Sequence, residues 1–467
     1  DLVYAAQRSR RSLDDLIKNT PADGLITGVS FVNSDLFHKE KTKTAIMHYD
    51  YMVLAGTQGI NNHKKLDRMI DVIRGLKVPL IFFCEGGGGR PGDVDAGDQN
   101  IAGLNIPSFH DFARLSGVVP LVGIGSGRLF AGNAALLGCC DVIIGTKDLN
   151  LGMGGPAMIE GGGLGLYKPE EVGPTSVQYP NGVIDILVDN EDDAVKIAKK
   201  YLSYFQGDLE TWKAPAAENL RTIIPENRLE VYDIREVIDN IADIGSVLEM
   251  KAGFAKGMFT GFIRVNGKPL GLIANNPLYL AGAIDSNGAD KASRFIKLCE
   301  NYNIPILSLC DTPGMMVGPE VEETGLVRHC CRLFLAGANV TVPMMTIVLR
   351  KAYGLGAQAM AGGSFMAPQF VVGWPTAEIG AMGLEGAVKL GYRKELEAEN
   401  NEEKKEKLFK KLVDELYEKG KAINAASLLE FDTVLDPIES RNWISMVLES
   451  PVDNSMKAAK NRYIDSW

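Results

Sequence analysis

Short, continuously apolar runs alternate along the chain with longer segments in which apolar residues recur every three or four positions. The apolar runs are residues 78–84, 118–124, 304–310 and 341–349, and the main periodic segments are residues 61–76 and 289–302. A short apolar run predicts a buried strand, and the longer periodicity predicts an amphipathic helix. Strands and helices in alternation are typical of an α/β fold whose parallel strands are covered on both faces.

The second half of the chain repeats the first at a nearly constant offset. Equivalent residues lie 223 to 226 positions apart, namely Pro79 and Pro305, Cys84 and Cys310, Pro120 and Pro343, and Gly132 and Gly356. One repeat of this length indicates an internal duplication of a whole fold, in contrast to a solenoid of short repeats. We therefore predict two tandem domains, residues 1–220 and 221–467, with a boundary in the charged, proline-containing segment 207–227.

Composition and charge narrow the class of protein. A chain of 467 residues with 46% hydrophobic and 23% charged residues is long enough for two globular domains. A net charge of −10 disfavours an extended nucleic-acid-binding surface, which needs an excess of Lys and Arg. No apolar run reaches the length of about 20 residues that a membrane-spanning helix needs. We therefore expect neither nucleic acid nor a membrane among the partners.

The cysteines and histidines do not form a metal-binding pattern. None of the seven cysteines stands in a CxxC motif, and the five histidines are scattered along the chain. Because zinc ribbons and disulfide frameworks have regular spacing, we predict no metal site and a reducing compartment. We expect structural roles for His329 and for Glu85 and Asp311, two carboxylates at predicted strand ends.

Glycine-rich turns follow the predicted strands in both halves. In the first half these turns are residues 86–89 and 131–132, and in the second half they are residues 314–315 and 355–356. A strand that leads into a helix through glycines leaves backbone N–H groups without intrahelical acceptors. One such turn is more often plain packing, but its repetition in both halves indicates a function.

Two N–H groups that converge on one point form an oxyanion hole, which stabilises charge developing in a transition state. The sequence contains none of the motifs GxSxG, GxxxxGK[ST] and HExxH. We therefore predict chemistry that depends on backbone donors, with little help from side chains. Two such holes would stabilise two carbonyl-like anions, for example a thioester enolate and a ureido-type enolate.

The chain resembles the carboxyltransferase component of biotin-dependent acyl-CoA carboxylases, a family with a duplicated crotonase-like fold. The segments that carry the resemblance are residues 75–92, 116–141, 261–295, 304–329, 341–360 and 371–388. The resemblance implies two tandem crotonase-like domains, the first on the acyl-CoA side and the second on the biotin side. It also implies transfer of CO2 from carboxybiotin to the α-carbon of an acyl-CoA, with biotin as cofactor and no metal.

The resemblance assigns roles to ten residues. Ala131 and Gly132 would face one enolate, and Leu355 and Gly356 the other. The remaining assignments are Gly86, Gly87 and Arg90 to coenzyme A, and Gly314, Gly354 and Trp374 to biotin, with Gly86, Gly87 and Gly314 as possible second N–H donors.

Three departures from the family pattern bear on specificity. Leu355 stands where the family usually has glycine, and Ala131-Gly132 stands where it usually has Gly-Gly. Gln358 occupies a position that shapes the acyl pocket in many relatives, so a chain-length preference cannot be transferred to this chain.

A Met-Lys-Met biotinylation site and an ATP-binding glycine loop are both missing. Biotin must therefore be carboxylated on another domain or chain.

The resemblance implies partners and a location. The partners are biotin carboxyl carrier and biotin carboxylase domains or subunits, and the chain itself forms at least a dimer, and a hexamer if it follows the trimer-of-dimers pattern. We expect a cytoplasmic location, or the mitochondrial matrix if the source is eukaryotic. Two alternatives stay open: a decarboxylase α subunit that moves CO2 from a carboxyacyl-CoA to biotin, and a non-catalytic crotonase-like scaffold.

Overall fold

The computed structural model describes residues 2–95, 104–450 and 464–465. Within this range the chain divides into two compact units, one formed by residues 2–207 together with residues 464 and 465, and the other by residues 208–450. The division after residue 207 lies at the start of the segment in which we expected the boundary. Each unit contains its own sheet and its own core.

The first unit is built on a six-stranded sheet. Within the described residues, the unit as a whole has eight strands: β1 (Leu25–Phe31), β2 (Lys43–Tyr49), β3 (Leu80–Phe83), β4 (Leu121–Gly125), β5 (Arg128–Phe130), β6 (Val142–Thr146), β7 (Asn150–Gly152) and β8 (Ile186–Val188). The sheet order is β1-β2-β3-β4-β6-β8, in which only the β1–β2 pair is antiparallel, and β5 and β7 form a separate parallel pair.

The helices of the first unit follow the strands. They are α1 (Leu13–Asn19), α2 (Lys39–Thr42), α3 (Ile60–Leu76), α4 (Ser108–Ala113), α5 (Gly132–Gly138), α6 (Pro156–Gly161), α7 (Thr175–Gln178) and α8 (Glu191–Gln206). Helix α3 buries Leu66, Met69, Ile70 and Ile73, which are the residues that repeat at helical spacing. These four residues belong to one core cluster together with residues of strands β2, β3 and β4.

The second unit repeats this plan in an eight-stranded sheet. Its strands are β9 (Leu248–Met250), β10 (Met258–Val265), β11 (Lys268–Asn275), β12 (Ile306–Thr312), β13 (Met344–Tyr353), β14 (Phe370–Gly373), β15 (Glu378–Gly380) and β16 (Thr433–Val434). The order is β16-β14-β13-β12-β11-β10-β9, and β15 pairs with the end of β13. The strands from β11 to β16 are parallel, whereas β9, β10 and β11 are antiparallel.

The helices of the second unit are α9 (Leu220–Ile223), α10 (Ile234–Ile241), α11 (Ser286–Asn301), α12 (Pro319–Glu322), α13 (Leu326–Ala338), α14 (Gly354–Met360), α15 (Leu384–Gly391), α16 (Arg393–Ala398), α17 (Glu402–Gly420), α18 (Ala422–Ser427) and α19 (Ser440–Glu449). The four predicted strands are present as β3, β4, β12 and β13, and the two predicted helices as α3 and α11. The α/β prediction is therefore confirmed. In each unit, the turns of interest lie at the carboxyl ends of the parallel strands.

Candidate functional site

In the first unit, the short strand β5 leads directly into helix α5. Ala131 joins them with φ of +54°, and the helix begins at Gly132. The N–H of Ala131 donates to Gly152 O at 3.2 Å, so it is not available to a ligand. Gly132 stands at the first helical position, where the backbone N–H has no intrahelical acceptor, and no other acceptor for it exists among the described residues.

Three of the four glycines in the loop after β3 also have their N–H groups engaged. Gly86 donates to Arg128 O at 3.0 Å, Gly87 to Ala55 O at 3.2 Å, and Gly88 to the Asn133 side chain at 3.0 Å. In the part of the chain that the structure describes, only the N–H of Gly89 lacks an acceptor within this loop. Gly89 therefore replaces Gly86 and Gly87 as the candidate for the second donor.

Gly88 holds the loop close to the start of helix α5. A Cβ atom on Gly88 would lie 2.5 Å from the Cβ of Ala131 and 3.2 Å from the nitrogen of Gly132. Gly89 is the next residue, so its N–H and that of Gly132 lie near each other. We call these two groups the first donor pair.

The second unit has a corresponding arrangement at the start of helix α14. The helix begins at Gly354, which has φ of +55°, and a Cβ on the buried Gly356 would lie 3.1 Å from the nitrogen of Met315. The N–H of Gly314 donates to the Thr312 hydroxyl at 3.1 Å, which removes it as a donor. Within residues 104–450, neither Met315 nor Gly356 has an acceptor for its N–H. These two N–H groups form the second donor pair, beside Leu355, which is 62% exposed.

The loop donors of the two units are held by the same backbone bridge. Gln58 bonds to the residues on either side of Gly89, and Ile284 bonds to the residues on either side of Met315. The four bonds are Gln58 N–H to Gly88 O at 2.7 Å, Arg90 N–H to Gln58 O at 2.7 Å, Ile284 N–H to Gly314 O at 3.0 Å, and Met316 N–H to Ile284 O at 2.9 Å. Gly89 and Met315 are therefore structurally equivalent.

A repeated tripeptide, which we did not predict as functional, supports each loop. Residues 54–56 and 280–282 are both Leu-Ala-Gly, and all six residues have φ between +50° and +86°. A Cβ on Gly56 would lie 2.5 Å from Glu85 O, and a Cβ on Gly282 would lie 2.2 Å from Asp311 O. The tripeptides thus pack against the residues that follow β3 and end β12. The repeat is visible in the sequence at an offset of 226, and this offset was the signal that could have found it.

Arg90 does not occupy a position from which it could bind coenzyme A. Its side chain is 5% exposed, and one guanidinium nitrogen lies 2.5 Å from an Asp23 carboxylate oxygen. The other groups of the guanidinium donate to Thr57 O at 2.8 Å and to the Thr57 hydroxyl at 3.2 Å. Our prediction for Arg90 was therefore wrong, because the side chain turns inward and fixes the loop to its neighbours.

Trp374 was also assigned wrongly. Its side chain is fully buried in the core of the second unit, and its indole N–H donates to the Ser440 hydroxyl at 3.0 Å. A buried indole with a satisfied donor cannot form a wall of a biotin site. The residue anchors helix α19 against the end of β14.

The charged residues behind the turns have structural partners, as expected. Asp311 is fully buried and accepts hydrogen bonds from Arg350 Nε at 3.1 Å, the Tyr232 hydroxyl at 2.8 Å and the Lys351 N–H at 3.1 Å. His329 Nδ1 lies 2.7 Å from an Asp290 oxygen. These contacts hold strand ends and helices in place.

Glu85, in the first unit, has a raised pKa. Burial raises the pKa of Glu85 to about 7, and the nearby carboxylates of Glu191 and Asp148 act in the same direction.

Among the residues that the structure describes, no group of three or more His, Cys, Asp or Glu side chains could hold a metal ion. None of the described helices is long and apolar enough to cross a membrane.

Comparison with known proteins places the chain in a family. The sequence profile of the carboxyl transferase domain matches residues 9–464, and the chain therefore belongs to the carboxyl transferase domain family. A curated relative is the methylmalonyl-CoA carboxyltransferase 12S subunit of Propionibacterium freudenreichii subsp. shermanii, which is 33% identical over 463 residues, 96% of this chain and 85% of that protein. The propionyl-CoA carboxylase carboxyltransferase subunit of Haloferax mediterranei is 31% identical over 90% of this chain and 81% of that protein.

Two solved structures match most of this chain. A single-chain, multi-domain long-chain acyl-CoA carboxylase is 53% identical, with a TM-score of 0.90 over 96% of this chain. The chain spans only 44% of that enzyme. The transcarboxylase 12S hexamer, with methylmalonyl-CoA bound, is 30% identical, with a TM-score of 0.81 over 97% of this chain and 88% of that one. These matches confirm the duplicated crotonase-like fold and the resemblance stated from the sequence.

Proposed function

We propose that this chain transfers a carboxyl group between biotin and the α-carbon of an acyl-CoA, with each donor pair acting as an oxyanion hole. The observation that supports this most is that each unit of a carboxyl transferase family member presents a loop N–H and a helix-start N–H that have no acceptor among the described residues. The pairs are Gly89 with Gly132 and Met315 with Gly356. The reaction needs two enolate-like oxygens to be stabilised, and the chain offers two sites with equivalent backbone geometry.

The first donor pair would bind the thioester oxygen, and the second would bind the ureido oxygen of biotin. Biotin, held by its ureido oxygen at the N–H groups of Met315 and Gly356, would in its carboxylated form supply the CO2 and, once the CO2 has left, the base for the α-proton. The N–H groups of Gly89 and Gly132 stabilise the negative charge that appears on the thioester oxygen when this proton leaves. Because the donors belong to fixed backbone, they need little reorganisation during the reaction.

Long-chain acyl-CoA is the substrate class that the observations favour. Identity to the long-chain acyl-CoA carboxylase is 53%, whereas it is 30% to the transcarboxylase 12S subunit with bound methylmalonyl-CoA. An apolar segment also follows Gly152, whose carbonyl accepts from Ala131. Its most exposed large side chains are Met153, Met158, Leu164 and Leu166, which are 64% to 79% exposed. A long alkyl chain would cover such a surface favourably.

A basic cleft in the first unit suits the nucleotide part of coenzyme A and replaces Arg90 in that role. The cleft has a volume of about 700 Å³, and its lining includes Tyr4, Arg8, Lys64 and Arg68. No carboxylate in the described residues pairs with Lys64 or Arg68. Cationic side chains beside an aromatic ring and an apolar floor match a phosphorylated adenosine.

The assembly that we propose follows from the need for both co-substrates. The chain would work with a biotin carboxyl carrier and a biotin carboxylase, as domains or as subunits. We further propose a dimer at least, with the active site at the subunit interface, and a hexamer like that of transcarboxylase 12S.

An assay with free biotin tests this function. The purified chain is incubated with biocytin and, in turn, malonyl-CoA, methylmalonyl-CoA and a 2-carboxylated palmitoyl-CoA, and biotin-dependent release of the decarboxylated acyl-CoA is measured. We expect release, fastest from the long-chain ester. Release that favours the short esters would contradict the proposed substrate class. Folded protein that releases nothing from any ester, with or without a biotinylated carrier, would favour the non-catalytic scaffold.

A further inference from the structure

We infer that Asn133 is a positioning residue that holds the first donor pair in its working geometry. This inference rests on the proposed function, because it concerns the site that would bind the thioester. Asn133 is the second residue of helix α5, directly after Gly132, and its side chain is completely buried. The role is not one that the sequence pattern or the family resemblance assigned.

One amide side chain connects three separate segments to the start of this helix. The Asn133 Oδ1 accepts from the N–H of Gly88 at 3.0 Å. The Nδ2 donates to Cys84 O at 3.1 Å and to Gly56 O at 3.2 Å, with Glu85 O at 3.4 Å. Asn133 follows Gly132 directly. Its side chain thus connects the start of helix α5 to the left-handed Leu-Ala-Gly turn, to the end of strand β3 and to the glycine loop.

These contacts fix the distance between the two donors. Because Asn133 accepts from the N–H of Gly88, the residue that precedes Gly89 is held at the start of helix α5. The other donor, Gly132, is the chain neighbour of Asn133 and moves with it. The side chain therefore couples both members of the first donor pair without itself contacting the substrate, as a supporting residue does in a preorganised site.

Few side chains other than the Asn133 amide could make this set of hydrogen bonds. It supplies one acceptor and two donors on a short stem, and every one of these groups finds a partner. A carboxylate would face three carbonyl oxygens in the same space, and an alanine would leave those carbonyls and the N–H of Gly88 buried without a partner.

The second unit has no such side chain. Ala357 stands at the position equivalent to Asn133, 224 residues later. There the two turns meet directly, since a Cβ on Gly356 would lie 2.6 Å from the Cα of Gly314. A change at Asn133 should therefore affect the thioester side of the reaction and leave the biotin side intact.

The inference can be tested by infrared spectroscopy on Asn133→Ala with palmitoyl-CoA carrying ¹³C at the thioester carbonyl. In the wild-type protein, a working hole lowers the stretching frequency of the bound carbonyl. We expect the variant to lose most of this lowering, and to lose about tenfold to hundredfold in kcat, with KM for biocytin unchanged. Only folded protein binds the ligand, so the position of the bound band does not depend on the folded fraction. Gly138→Ala, in the same helix with nothing within 4 Å of its Cβ, is the matched control.

Asn133→Asp provides a second test if the alanine variant does not fold. The carboxylic acid can donate one hydrogen bond to the carbonyls, but the carboxylate cannot. We therefore expect its activity relative to wild type to rise as the pH is lowered.

The outcomes separate the inference from the proposed function. A wild-type carbonyl with no lowered frequency would overturn both. A lowered frequency and a kcat that are the same in wild type and Asn133→Ala would overturn the role of Asn133 and leave the proposed function standing.

Discussion

Gly356 and Gly314 are so close that a Cβ atom built on Gly356 would lie 2.6 Å from the Cα of Gly314. Real Cβ atoms essentially never approach another atom this closely, so the backbone would have to move to admit any side chain. The contact brings the N–H of Gly356, at the start of helix α14, beside that of Met315. The second donor pair therefore depends on two backbones in direct contact.

Gly356→Ala should remove the second oxyanion hole. The added methyl group would push the loop at Gly314 away from helix α14, and with it the N–H of Met315. Loss of one donor of this kind typically lowers the rate by about 10²–10³, and we expect a fall in kcat of that order. The measurement is biotin-dependent decarboxylation of a carboxyacyl-CoA. Gly386→Ala in helix α15, where nothing lies within 4 Å of the new Cβ, should keep full activity. Full activity in Gly356→Ala would contradict the role of the second donor pair.

Gly88→Ala should have a similar effect on the first donor pair. Gly88 has φ of +83°, and its Cβ would lie 2.5 Å from that of Ala131. Both the strained φ and the collision would move the loop away from Gly132. We expect kcat to fall by about 10²–10³, with KM for biocytin unchanged. A variant that keeps its kcat and loses only thermal stability would show that the loop has a structural role alone.

The sequence predicted the strands, the helices and the duplication because these depend on short-range patterns of apolar residues. The turns at Gly132 and Gly356 could be found for the same reason, since glycine at a strand-to-helix junction has a local cause. The assignment of individual N–H donors could not be made in this way. The N–H of Gly87 is engaged by Ala55 and that of Gly86 by Arg128, and these contacts exist only after the chain has folded.

Arg90 and Trp374 illustrate a second limit. Both residue types are common in binding sites, and both lie in segments that carry the family resemblance. Whether such a side chain faces a ligand or the core depends on partners far away in sequence, here Asp23 for Arg90 and Ser440 for Trp374. No periodicity in the sequence reports these partners.

Trp374→Phe should reduce stability and leave biotin binding unchanged. The smaller ring leaves a cavity in the core of the second unit and removes the hydrogen bond to Ser440, which together should cost about 2 kcal/mol. We expect a lower thermal midpoint, with KM for biocytin within about twofold of wild type because Trp374 is fully buried. A large rise in this KM at unchanged stability would restore Trp374 as a biotin-binding residue.

The double change Lys64→Ala with Arg68→Ala should weaken acyl-CoA binding. Each cation that contacts a phosphate is worth roughly 1.4 kcal/mol, so KM for acyl-CoA should rise about tenfold if one of them does and about hundredfold if both do, while KM for biocytin stays constant. If this cleft holds the 3′-phosphate, removing that phosphate from the acyl-CoA should raise KM for wild type. The same removal should change KM for the variant much less. Lys196→Ala, an exposed lysine of helix α8 that pairs with Asp193, is the control. Equal KM values for wild type and variant would exclude the cleft as the nucleotide site.

Glu85→Gln should change the way stability depends on pH. The pKa of Glu85 is about 7 in the folded protein, compared with an ordinary value of 4.5, because burial disfavours the charged form. The folded state therefore holds this proton more tightly than the unfolded state does. The contribution of Glu85 to stability is complete below pH 4.5 and is lost as the pH rises through about 7. Glutamine stays neutral, so the thermal midpoint of the variant should exceed that of wild type at pH 8, and the difference should shrink towards pH 5.

A control for this titration is Glu160→Gln, which removes an exposed carboxylate of helix α6 in the same unit. The thermal midpoints of this variant and of wild type, measured at pH 5 and pH 8 in the same buffers, give the reference for removing one surface carboxylate. If Glu85→Gln behaved in the same way, Glu85 would be ionised in the folded protein at neutral pH. The negative charge would then lie beside Gly127, where a Cβ atom would collide with a Glu85 carboxylate oxygen, and where burial disfavours the ionised form.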